Sequence, residues 1–309
     1  MTERKTSKWK IILGYASFAT AAFVFFFYVT FPYEALRQRI QAEAGAAGWD
    51  VEIGDMGPGF LGISADNLLL KKKQTPGTVE GDKPEVGFLV DSLSLRPSVF
   101  PLGVAFKADV MGGTASGAVG GMSTLAVDVK LDEVNLAEGN LKAFSGIDVT
   151  GVVNGRLKLT APITAAGNGP REPDFGQADG ELVLEGQQVV VNGGTITVPM
   201  YGTPTPMDLP KIPFGNIDGL LKIEKGAGKF EALTAKSEEL DLLGSGTLKL
   251  AKRLEYSEPN LELRFKVEQE FVKRLGMLGA GLGMLKSDPK DPQFKMVTMT
   301  GFIGRPSFR

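Results

Sequence analysis

The chain has 309 residues, a formal net charge of −2, and neither cysteine nor histidine. That length supports one large domain or two ordinary ones, and no basic stripe interleaved with aromatics offers nucleic acid an electrostatic footprint. Lacking His and Cys, the chain has no usual zinc ligands, thiol nucleophile, Ser-His-Asp triad or imidazole acid–base group. No P-loop or dinucleotide fingerprint is present, and the reading is a non-enzyme without metal or cofactor.

The first element is "IILGYASFATAAFVFFFYVTFPY", residues 11–33, which holds no charge. As a helix it spans a bilayer core with some tilt. Arg4, Lys5, Lys8 and Lys10 precede it against a single Glu3, an excess that keeps residues 1–10 cytoplasmic. Trp9 at one end, and Tyr28 and Tyr33 beside Pro32 at the other, suit the interfacial belts. The alternative is a cleaved signal peptide ending near Ala19-Thr20-Ala21, but that would leave "FVFFFYVTF" opening the mature chain. Residues 34–48 then form a juxtamembrane amphipathic helix, with Ala35, Leu36 and Ile40 on one face and Gly45 and Gly48 stopping it. That face is expected to pack on the domain it introduces, with the lipid surface as the alternative.

From residue 49 to 309 the dominant period is two. In "TLAVDVKL" the residues Leu125, Val127, Val129 and Leu131 alternate with Ala126, Asp128 and Lys130; in "VNGRLKLT" Leu157 and Leu159 alternate with Arg156, Lys158 and Thr160. Leu182 and Leu184 in "GELVL", and Leu248 and Leu250 in "GTLKLA", continue the pattern. Such alternation means antiparallel strands with one dry and one wet face. The fold expected is mainly β: a large, curved, hairpin-built antiparallel sheet of a dozen or more strands of ordinary length, behind one N-terminal transmembrane helix. The recurring word glycine-x-Leu-x-Leu is read as a strand beginning after a turn. The triple lysine 71–73 is read as a solvated strand edge. Short helices are expected over 135–144 and, as one glycine-rich piece, over 268–286. The proline-rich stretch 200–215 is expected to be an insertion rather than strand.

Three stretches carry a resemblance: "LRQRIQAEAGAAGWDVEIGDMGPGFLGISADNLLL" from Leu36, "VDSLSLRPSVFPLGVAFKADVMGGTASGAV" from Val90, and the closing "GFIGRPSF". Together with the anchor helix before them they are similar to the type II secretion system protein N family (GspN), in its longer form, and more distantly to AsmA-like proteins. The resemblance implies a single-pass protein of the bacterial inner membrane whose β-rich part faces the periplasm. It further implies an accessory subunit that works by contact with other secretion-system subunits, and it supplies no catalytic residues. The AsmA-like aspect implies an alternative in which the dry face is a trough for lipid chains rather than a sealed core.

Overall fold

The structure is a computed structural model that describes residues 8–46, 48–72, 87–165, 171–200, 203–283, 285–303 and 305–308. Arg4, Lys5, Lys73, Tyr201 and Gly202 fall outside these. Helix α1 (Lys8–Thr30) ends where Pro32 removes a backbone donor, and α2 (Tyr33–Ala46) begins one residue later. The apolar helix therefore starts and ends three residues earlier than 11–33, and Tyr33 belongs to α2. It is long and apolar enough to cross a membrane over Ile12–Thr30, and none of that stretch is buried.

The sheet begins with β1 (Trp49–Gly59), β2 (Gly62–Lys72), β3 (Phe88–Ser98), β4 (Gly103–Val110), β5 (Gly113–Gly120) and β6 (Thr124–Asn135). It continues through β7 (Ile147–Ala165), β9 (Asp179–Met200), β11 (Ile212–Glu224), β12 (Ala227–Lys236), β13 (Leu240–Lys249) and β14 (Glu258–Val267). It finishes with β16 (Lys295–Phe302) and β17 (Arg305–Phe308). Each of these strands pairs antiparallel with the one before it, giving a meander that does not close: β1 pairs only with β2 and β17 only with β16 among the described residues. Three short strands decorate it: β8 (Arg171–Pro173) on β7, β10 (Thr203–Leu209) on β9, and β15 (Lys286–Ser287) on β16.

Several expectations change. The proline-rich stretch is largely strand: β10 lies along the part of β9 that outruns β7, so its prolines occupy an edge where no donor is required. Strands reach 22 residues in β9 because bulges let them change direction without ending. Bulges or irregularities fall at Leu131/Val134 in β6, around Gly151 in β7, and at Gly215 in β11. Two asparagines secure the left-handed bulge residues: Asn154 Oδ1 accepts the Glu133 amide at 2.8 Å and Asn216 Oδ1 the Gln188 amide at 3.3 Å. Of the lysine run, Lys71 and Lys72 pair with β1 beyond the last β3 partner, Leu70, and Lys71 makes an ion pair with Glu52 at 2.7 Å. The 135–144 helix shrinks to α3 (Leu141–Ser145). The 268–286 helix splits into α4 (Gln269–Arg274) and α5 (Met277–Gly283), because Gly276 takes φ 56° between them.

Helix α2 packs on the sheet through Ile40 and Ala44, which lie against Val51, Ile53, Ala65 and Leu68. Leu36 is half-buried and Ala35 exposed, so the packed face runs further toward the helix end than its spacing suggested. Arg37 Nη1 reaches the carbonyls of Ile53 and Gly54 at 3.4 and 3.2 Å, fixing the helix over β1. In this corner the apolar alternation slips phase, from Val51 and Ile53 to Met56 and Pro58 in β1. Asn67, with φ 55°, marks the slip in β2.

Candidate functional site

The feature that stands out is the apolar face itself. Register partners form one unbroken row from the first strand to the last: Pro58, Ile63, Leu95, Phe106, Gly117, Val129, Leu157, Leu182, Leu221, Phe230, Gly246, Leu261, Met299 and Phe308. No member is polar. A second row runs beside it through Val104, Val119, Val127, Leu159, Gly180, Ile223, Gly228, Leu248 and Pro259. The other face carries Asp128, Lys158, Glu181, Lys222 and Lys229 in consecutive register. Its ion pairs, such as Arg156–Asp128 at 3.5 Å and Lys222–Glu231 at 2.8 Å, are solvated, and pairs of that kind contribute little. Glu231 also raises the Lys222 ammonium above its ordinary pKa by hydrogen bonding and charge.

Glycines interrupt both rows, and their place corrects the sequence reading. Gly155, Gly219 and Gly246 lie within strands rather than at their beginnings; only Gly180 stands near a strand start. Gly180 and Gly246, which lie in the two rows, provide close approach, whereas a Cβ on Gly155 or Gly219 would meet its neighbours only at ordinary contact distance. A Cβ on Gly180 would sit 2.3 Å from the Lys158 carbonyl oxygen and 3.0 Å from Leu159 Cδ1. Large residues on either side lean over the gap, so the sheet can curl toward its apolar side.

The curl brings distant strands into one cluster. Leu159, Ala161, Ala178, Leu221, Ile223 and Leu250 are its buried members, with Val127, Leu157, Phe175, Leu182, Phe230 and Leu248 packed against them. Of the residues singled out in the sequence, Val127, Leu157, Leu159, Leu182, Leu248 and Leu250 meet here. Leu131 instead packs with Val110, Met111 and Val134. Val129 is half-buried between Gly117 and Leu157, and Leu125 lies opposite Ala161. Leu184 remains 38% exposed between Gly155 and Gly219. Leu221, Ile223 and Phe230 were not singled out, although the word "GLLKI" contains the first two.

A short segment closes one end of this cluster. Asp174 opens a 3-10 turn, Phe175–Gln177, by accepting the Gly176 amide at 3.1 Å. The turn delivers Ala178, which is 0% exposed. Its carbonyl accepts the Gly226 amide at 2.8 Å, and the Gly226 carbonyl accepts that of Leu250 at 2.7 Å. One crossing segment thus joins the ends of β7, β9 and β13 to the β11–β12 turn.

Elsewhere the face lacks a second layer among the described residues, whose helices lie at the sheet's ends and edges. The chain exposes 20862 Å², whereas a compact protein of its 32.9 kDa exposes about 12,500 Å². A one-layer sheet with a free helix accounts for the direction of that difference. On the polar side a groove of about 800 Å³ follows the bulges, lined by Asn135, Thr150, Glu185, Gln187, Asn216 and Asp218. No cluster of potential metal ligands occurs among the described residues.

Of the anchor flanks, Trp9 is exposed and Lys8 and Lys10 lie in the first turn of α1. Tyr33 donates its hydroxyl to the Tyr28 carbonyl at 2.9 Å across the Pro32 break. No protein-family model, curated protein or solved structure matches the chain.

Proposed function

We propose that this protein is an inner-membrane-anchored accessory subunit of the type II protein secretion machinery, acting by protein–protein contact on the periplasmic side. The observation that supports this most is a tethered sheet with two open edges. Strands β1 and β17 each present one unpaired side among the described residues, and an unpaired edge binds a partner strand through backbone groups alone. That mode requires no special side chains, which suits a chain without a catalytic constellation. Two of the three stretches resembling the GspN family reach these edges: "GPGFLGI" closes the β1–β2 hairpin, and Gly301 and Phe302 of β16 pair with Pro306 and Arg305 of β17 within the closing stretch; the stretch from Val90 forms the interior strands β3 to β5. The test is a clean deletion in the native cell. Loss of export for folded secreted proteins, restored by the full chain, supports the proposal; undiminished export refutes it.

A second reading is favoured by the open apolar rows: a lipid-binding trough of the AsmA-like kind, with Val129 and Leu184 lining it. A bare face of several hundred Å² costs on the order of 10 kcal/mol at ~25 cal/mol per Å², so an occupant is physically expected. A photo-crosslinking residue at Val129 would then capture lipid in intact cells while one at Thr160, on the polar face, would not. Internal crosslinks at Val129, with protein adducts at Thr160, would favour the scaffold.

A further inference from the structure

Three adjacent hairpin tips at one end of the sheet are apolar, exposed and without charge. The β1–β2 tip carries Phe60 and Leu61, the β3–β4 tip Phe100 and Leu102, and the β5–β6 tip Met122; Phe60 is 85% exposed and Met122 76%. The tips belong together: Gly62 lies against the Leu95 carbonyl, and the Gly121 amide donates to the Leu102 carbonyl at 2.9 Å. None of these side chains belongs to, or packs against, the three buried clusters found among the described residues.

Their position relative to α1 assigns them a medium. The Gly62 amide lies 3.5 Å from the Tyr28 hydroxyl, which accepts from it. Tyr28 stands two residues before the end of the apolar span at Thr30, ~3 Å along the helix axis. A backbone amide touching Tyr28 is therefore at the depth where the hydrocarbon gives way to headgroups. Phe60 and Leu61 immediately precede that amide. The other two tips extend the patch sideways across β1 to β6, roughly 24 Å at the usual strand spacing.

We propose that these tips dip into the leaflet around the end of α1, giving the sheet a second, monotopic grip on the phospholipid bilayer. The inference rests on reading α1 as a membrane span. Apolar side chains at headgroup depth with a hydrated turn backbone satisfy the requirements of interfacial insertion. A single helix leaves a domain free to swivel; a row of inserted tips beside it fixes the sheet's orientation.

The chain has no cysteine, so single labels are unambiguous. Full-length Phe60→Cys, Met122→Cys, Phe18→Cys in α1 and Glu238→Cys at the opposite end of the sheet would each carry a nitroxide. Each is reconstituted into phosphatidylethanolamine–phosphatidylglycerol vesicles, and its collision with oxygen is compared with that with an aqueous nickel chelate. The expected result is preference for oxygen at positions 60, 122 and 18 and for the chelate at 238. Labels at 60 and 122 as aqueous as that at 238, with 18 still in lipid, overturn the proposal and leave the anchor standing. Low collision with both reagents at 60 and 122 overturns it in favour of a protein contact. An aqueous label at 18 overturns the anchor reading, and the proposal with it.

Discussion

The β11–β12 and β5–β6 hairpins turn at the same end of one sheet and are made of opposite chemistry. The first is Lys225-Gly226, with both residues in the left-handed region and the Gly226 backbone bonded to the segment that closes the apolar cluster. The second exposes Met122 on a turn whose neighbours, Gly121 and Ser123, supply the backbone hydrogen bonds. In one turn each residue answers a demand of the fold. In the other the apolar side chain answers none, and its exposure is left for something outside the chain.

The largest expected effect comes from breaking the first turn. Gly226 has φ 76°, and a Cβ there would lie 2.1 Å from the Gly176 carbonyl oxygen. Gly226→Val combines backbone strain with a clash against backbone and should cost about 3 kcal/mol or more, read as a lower urea midpoint. A midpoint within error of the wild type would mean that the closing segment is not held there.

Next comes the cluster that this segment closes. Leu221 is buried at its centre, so Leu221→Ala should cost ~3 kcal/mol. Leu184, in the neighbouring open stretch of the same face, has lost less water contact; Leu184→Ala should cost under ~1 kcal/mol. Equal losses at the two positions would show that the face is sealed along its whole width, which would sharpen the case against a trough.

A smaller, pH-dependent effect belongs to the far edge. Asp288 is 5% exposed; it accepts the Lys290 amide at 2.8 Å and Arg264 Nη1 at 3.1 Å. The backbone hydrogen bond, more than the guanidinium, holds its carboxyl below the ordinary carboxylate value of 3.8. Because the folded value is depressed, the stabilisation is present at neutral pH and fades as pH falls below that ordinary value. Asp288→Asn should therefore lower the urea midpoint at pH 7 and leave a smaller difference near pH 3. A difference that grows toward acid would contradict the assignment.

How legible all this was in the sequence follows the same division. The alternation of Leu125 through Leu131, and of Leu157 with Leu159, made the sheet and its dry face readable, because a period of two survives any tertiary arrangement. The long strands were not readable: Glu133, Gln188 and Gly215 shift the phase mid-strand, and a phase shift looks like a strand end in a single sequence. The glycines of the repeated word misled for a related reason. Gly246 is needed by its cross-strand neighbours Asn260 and Leu261, while Gly155 and Gly219 sit mid-strand with room for a Cβ, and neither position can be told from a strand start in a single sequence. The closing segment at Phe175 and Ala178 had no signal beyond Asp174 and Gly176. The tips were readable as turns, but their shared end and their contact with Tyr28 required the register.

The smallest effect on stability is expected where the exposed hydrophobicity is greatest. Phe60 and Met122 touch no buried cluster, so Phe60→Ser combined with Met122→Ser should leave the urea midpoint in detergent within ~0.5 kcal/mol of wild type. Their replacement even removes apolar surface that the free domain must hydrate. A loss above 1.5 kcal/mol would mean that the tips are packed by the protein itself, placing the β5–β6 turn alongside β11–β12 as a structural requirement. An unchanged midpoint with altered lipid-exposure signals elsewhere on the sheet would separate the two turns by purpose. The glycine turn would then be kept for folding, and the apolar turn for the surface on which the folded domain sits.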